Sequence, residues 1–199
     1  KRPGVEGVAP FVYAKAIIMH EGLTEGMVLK GVDLPAERGV TSVGRNLSPP
    51  LEAIPVRTAG GLPGIVLGSE LAGGLAARVG DTIVLATASP GGTSPLGFGV
   101  RMRQFRLVSV FTSGLYTYDS SLGFTSIPAA QDFFELGSAV TGLEVRIRDL
   151  FAAPRVAGEL LAAVPGRGLR ANNWIELNRN LFTWMKLEKA VMFVILGLI

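Results

Sequence analysis

The sequence predicts an α+β fold, and three observations carry that expectation. Short apolar runs rich in β-branched residues, bounded by Gly, Pro and Asp, recur through the first two thirds of the chain, which is the pattern of strands. In the last third an alternating segment, a helical repeat and a second β-rich segment follow one another as a β-α-β unit. Finally, residues 190–199 (AVMFVILGLI) are apolar throughout and end a helix that begins near Asn180.

Each element has a local reason. Residues 9–20 (APFVYAKAIIMH) are half alternating, and residues 27–32 make their partner strand after a turn at Glu21-Gly22. Asp33-Leu34-Pro35 ends that strand, and a polar stretch reaches Pro49-Pro50. The loop Gly60-Gly61-Leu62-Pro63-Gly64 leads into a strand at 65–67. Ser69 is placed to cap a helix through Ala77, with Leu71 and Leu75 one turn apart on its apolar face. Gly80-Asp81 turns the chain into a strand at 82–86, and strands at 105–111 and 122–126 follow. Pro128 suits a first helical turn, continued over 129–136. In residues 142–148, Leu143, Val145 and Ile147 alternate with Glu144, Arg146 and Arg148, the pattern of a half-buried strand. Residues 154–164 put Val156, Leu160, Leu161 and Val164 on one helix face before Pro165-Gly166 stops it, and 169–175 reads as the next strand.

Composition narrows the function. The chain has 199 residues, 48% hydrophobic and 18% charged, with a mean hydropathy of +0.41, enough for one large domain or two small ones. Lys1-Arg2-Pro3 carries no initiator Met and no signal peptide, which predicts a piece of a longer protein. The net charge of +3 comes from dispersed arginines without interleaved aromatics, so nucleic acid is not the expected partner. With no cysteine there are no disulfides, no thiol chemistry and no thiolate zinc. His20 is the single histidine, and it reads as a structural residue at a strand end. Glu21 and Glu25 flank a turn, and Asp132 and Glu135 sit three apart on a short helix, where solvation is the ordinary outcome. No phosphate-binding glycine loop and no G-x-S-x-G elbow occurs. The expectation is therefore no catalytic residue, no metal and no cofactor, and a chain that binds or transmits force.

Two segments point to what it binds. A spanning helix needs roughly 20 apolar residues, so 185–199 reads as the start of a membrane helix, with Trp184, Lys186, Glu188 and Lys189 at headgroup level. A terminal core helix or buried strand also fits that run. Between two strand candidates lies the second segment, 88–99 (ASPGGTSPLGFG), with two prolines and four glycines. It reads as an irregular, elongated hairpin arm. Leu96 and Phe98 at its tip have nothing local to pack on, and Arg101, Arg103 and Arg106 cluster at its base with no acidic residue between Asp81 and Asp119. A partner-binding device and a plain connecting loop both fit these residues.

Motifs in order along the chain resemble a known family. Ile65-Val66-Leu67-Gly68-Ser69-Glu70-Leu71-Ala72 with Val79-Gly80-Asp81 is similar to the signature of MacB-like periplasmic domains. Residues 136–151 (LGSAVTGLEVRIRDLF) look like that family's return strand. Residues 174–181 followed by Glu188-Lys189 and Met192 look like its approach to a second membrane helix. Together they resemble the LolC/LolE lipoprotein-releasing permeases. The resemblance implies an inner-membrane ABC transporter subunit whose domain lies in the periplasm. It implies a Porter-like part (1–59 and 138–184) and an inserted, β-rich Sabre-like part (60–137) with a Hook hairpin over about 88–103. The partners it implies are a LolD-like ATPase, a second permease subunit, lipoprotein substrates and a LolA-like carrier recruited by the Hook. On this chain Pro95, Leu96, Gly97 and Phe98 match the Hook tip, and Arg101 and Arg103 its base. Met102 and Val100 depart from the polar residue and the proline usual there, and 138–142 looks more like LolE. A MacB-like exporter and an FtsX-like regulator of the cell envelope are the alternative readings.

Overall fold

β1 (Val5–His20) and β2 (Leu23–Val32) form a hairpin in register from Phe11 opposite Val32 to His20 opposite Leu23. Its two turn residues, Glu21 and Gly22, both have positive φ (47° and 84°), the geometry that matches strand twist in two-residue turns. The computed structural model describes residues 4–41, 46–89, 99–164 and 168–198. Both strands begin earlier than the sequence suggests, because pairing extends them past their apolar stretches.

After β2, Pro35 opens a helix and does not merely end the strand: α1 (Leu34–Arg38) carries it in its first turn, where a missing N–H costs nothing. β3 (Leu47–Ser48) and β4 (Gly64–Gly68) follow. Every residue of β4 is buried. Ile65 and Leu67 join one apolar cluster with Ile18, Leu29, Leu85, Phe105 and Phe133, and Val66 joins another with Val32, Phe111 and Phe124. α2 (Ser69–Gly74) is shorter than expected. Gly68, not Ser69, is its N-cap, because at that point the chain passes against the Asp119 backbone with no room for a side chain. Leu71 and Leu75 are both buried, as their spacing predicts.

β5 (Thr82–Ser89), β6 (Gly99–Phe111), α3 (Tyr116–Asp119), β7 (Leu122–Ser126), α4 (Ile127–Phe133) and β8 (Gly142–Ile147) complete the sheet and its helices. The sheet is mixed. β2 runs parallel to β7 and β4 parallel to β6, whereas β1–β2, β1–β5, β4–β7 and β5–β6 are antiparallel. The strand order is β2-β7-β4-β6-β5-β1-β8, and β2 also pairs with β1, so six strands form a closed circuit of neighbours. In β8, Val145 and Ile147 are half-buried, but Leu143 is exposed, and Glu144 turns inward to Lys30.

The chain divides into two compact units, 5–146 and 147–199 with 1–4. β1 and β2 pair with β5 and β7, so residues 5–59 and 60–146 share one sheet within the first unit. The second unit holds a 3-10 turn (Leu150–Ala152), α5 (Ala153–Ala162), α6 (Trp174–Leu177) and α7 (Arg179–Leu198). The strand expected over 169–175 is replaced by an irregular stretch and α6. The Asn173 side chain caps that helix, its Oδ1 accepting from the Glu176 N–H at 3.1 Å. On α5, Val156 and Leu160 are half-buried, but Leu161 faces solvent, as does Val164 just past the helix. Among the described residues, no helix is long and apolar enough to cross a membrane. The apolar end of α7 is exposed, Phe193 by 80%.

Candidate functional site

The arm predicted between residues 88 and 103 grows out of a two-stranded ribbon. β5 and β6 stay in register from Thr82 opposite Arg106 to Ser89 opposite Gly99. β1 pairs with β5 only as far as Ala86, and β4 pairs with β6 only from Arg106 onward. Among the described residues, 87–89 and 99–105 therefore have one hydrogen-bonding neighbour each, and the ribbon projects past the rest of the sheet. Pro95, Leu96, Gly97 and Phe98 lie outside the described residues.

Its root is fastened on both strands. At the entrance turn, Gly80 (φ 105°) donates to the Leu107 carbonyl at 2.8 Å and Leu107 donates to Asp81 at 2.9 Å. The Arg78 N–H donates to the Asp81 carboxylate at 2.7 Å. His20 is buried beside this turn. Its Nδ1 hydrogen-bonds the Leu75 carbonyl at 2.9 Å, and Nε2 lies 3.5 Å from Asp81 Oδ2. The single histidine thus ties the end of β1 to the arm's root.

The ribbon has two unlike faces. Odd residues of β6 carry Arg101 and Arg103 on the side of α4. There Arg101 pairs with Glu135 and lies 3.9 Å from Asp132, and Arg103 pairs with Asp132. The base is thus neutralised from within: Asp132 and Glu135 supply the acidic partners that the sequence between Asp81 and Asp119 lacks. Arg106 donates to the Gly80 carbonyl. A shallow cavity of about 450 Å³ lies here, lined by Arg101, Pro128, Gln131, Asp132, Glu135 and Gly137. Even residues face the other way. Val100 is 75% exposed and Met102 59%. Met102 stands opposite Ala86, itself opposite Ile17 of β1, so these three side chains share one apolar face.

The geometry brings Arg101 and Arg103 together and adds four residues to the site. Asp132 and Glu135 were legible only as a pair three residues apart, matching arginines two apart on a strand. Val100 and Met102 were visible as departures from a motif, not as an exposed apolar pair. No group of three His, Asp or Glu able to hold a metal occurs among the described residues.

No protein-family model matches the chain. Its relatives are transmembrane components of lipoprotein-releasing systems, and the LolC/LolE resemblance holds along its whole length. The lipoprotein-releasing system transmembrane protein LolC of Neisseria meningitidis serogroup B is 31% identical over 202 residues, covering 100% of this chain and 47% of that protein. LolC of Xylella fastidiosa is 29% identical over 99% of this chain and 46% of its own length. LolE of Haemophilus influenzae is 27% identical over 100% and 46%. The chain spans about half the length of the curated relatives it matches. Similar solved structures are the extracellular domain of the noncanonic ABC-type transporter YknZ from Gram-positive bacteria (TM-score 0.49, 12% identity, 78% of this chain and 72% of that one) and the periplasmic region of MacB from Actinobacillus actinomycetemcomitans (TM-score 0.49, 12% identity, 82% and 69%).

Proposed function

We propose that this chain is the periplasmic domain of an inner-membrane ABC transporter permease that releases lipoproteins and passes them to a LolA-like carrier. The observation that carries the reading is the β5–β6 ribbon, which projects past the sheet where the family resemblance puts the Hook. The carrier docks on this arm, with Pro95 limiting the conformations that docking must freeze and Leu96 and Phe98 as apolar anchors. Val100 and Met102 extend the apolar contact toward the base. Arg101 and Arg103, held by Asp132 and Glu135, set the arm's angle and offer a rim of charge; exposed pairs of this kind contribute about 0–1 kcal/mol each, so they act more on rate and register than on affinity.

The domain itself is not an enzyme in this reading. A LolD-like ATPase on a separate subunit supplies energy, a second permease subunit completes the transporter, and the helix that starts at Arg179 transmits motion. In this reading residues 1–59 and 138–184 form the Porter-like part and 60–137 the inserted Sabre-like part.

The test is binding of the chain to its cognate LolA-like carrier, beside a Pro95→Gly/Phe98→Ala variant. Micromolar or tighter binding, lost in a variant that keeps its thermal midpoint, supports carrier recruitment. Absence of binding by the unaltered chain removes it.

A further inference from the structure

We propose that the C-terminal unit carries a surface that lies against an anionic lipid bilayer. Charge is divided unevenly between the two units. Residues 1–4 and 147–199 hold nine Lys and Arg against four Asp and Glu, a net +5. Residues 5–146 hold ten against twelve, a net −2. The basic excess belongs to the unit that has the helix with the apolar end.

The same unit displays large apolar side chains in place of burying them. Phe151 is 75% exposed, Leu177 73%, and Leu150 and Leu169 are exposed as well. The patch is organised. Phe151 meets Trp174 edge to face at 6.2 Å, and the indole Nε1 donates to the Leu150 carbonyl at 2.9 Å. That pair locks the 3-10 turn to the start of α6. α6 ends at Leu177, and α7 begins two residues later. An indole with its N–H satisfied and its ring beside exposed apolar groups suits the boundary between headgroups and acyl chains. Arg170 and Arg179 are exposed around these elements, on stems long enough to keep their charge among phosphates while the patch sinks; Arg155, also exposed, pairs with Glu159 at 2.8 Å. The arrangement is that of an interfacial surface: apolar and aromatic groups bordered by arginine. It does not depend on carrier recruitment, since a chain that binds no carrier would still bind vesicles.

The test uses the full chain carrying Trp184→Phe, which leaves Trp174 as the sole indole. It is mixed with vesicles of phosphatidylcholine alone or of phosphatidylcholine and phosphatidylglycerol at 7:3, with and without brominated acyl chains. At least tenfold tighter, salt-sensitive binding to the anionic vesicles is expected, together with quenching of Trp174 by bromine. Phe151→Ser/Leu177→Ser should reduce both at least fivefold with an unchanged circular dichroism spectrum. Should that variant unfold, Arg170→Gln/Arg179→Gln should still lower the preference for phosphatidylglycerol at least threefold. Binding with Trp174 unquenched means that α7 inserts alone and overturns the proposal. Equal binding to both vesicles, or no binding, overturns it too.

Discussion

Gly68 shows how much a single missing side chain settles. A Cβ there would run into the carbonyl oxygen of Asp119, which is backbone and cannot swing away. Gly68→Ala should therefore cost about 1–3 kcal/mol, the range for overpacking a tight site, read as a lower urea midpoint. Asp119 itself is buried, which by itself would raise its pKa. Hydrogen bonds from the backbone and hydroxyl of Ser113 and the N–H of Gly114 outweigh that and hold the carboxyl below its ordinary value of 3.8. A depressed carboxylate stabilises the fold above its unfolded pKa and loses that contribution as pH falls through the folded one. Stability should thus decline below about pH 4 in part through this group, and Asp119→Asn should flatten the decline in acid-titrated melts. Lys30 is the third case. Its ammonium, buried over the Phe11 ring, is 2.8 Å from both Glu37 and Glu144. Glu37 is almost fully buried, so Lys30→Met strands a carboxylate without its cation. Such losses cost about 3–5 kcal/mol, and a thermal melt showing no change would refute the cluster's structural role.

Among the elements, those with strong local punctuation were legible. β7 runs over the very residues its apolar stretch marks, and Glu21-Gly22 makes the expected turn. The misses have physical reasons. Pro35 was read as a stop, although the first turn of a helix accepts it. In 169–175 the β-rich letters outweighed Asn173 and Glu176, three apart in the spacing of a helix cap, and the cap prevailed. The arm was visible in sequence as a loop, but its two faces were not. Exposure at Val100 and Met102 follows from which strand lies beside the ribbon, and no local pattern contains that. Val100→Thr/Met102→Gln should change stability by less than about 0.5 kcal/mol, as exposed substitutions do. In the carrier reading it should weaken carrier binding several-fold in titration calorimetry; unchanged affinity would confine the contact to the tip.

At the scale of the whole molecule, no described residue covers the apolar end of α7. Val194, Leu196 and Leu198 are more than half exposed, a surface that invites self-association in water. Removing residues 187–199 should yield a monomer in sedimentation with an unchanged thermal midpoint; a lowered midpoint would show that this helix supports the fold. The circuit of six strands has a different consequence. A strand at an open edge can peel away by giving up one ladder, but here β2, β4, β5 and β7 each hold two, and β1 and β6 hold three. Within that ring there is no free end from which to unzip; β3 and β8 lie outside it, each on one neighbour. Amide exchange in the ring should converge on one value, that of opening everything at once, while the ribbon before Arg106 exchanges through its own small fluctuations. The domain thus joins an all-or-none body to a locally yielding arm, so a partner could bend the arm without spending any of the body's stability.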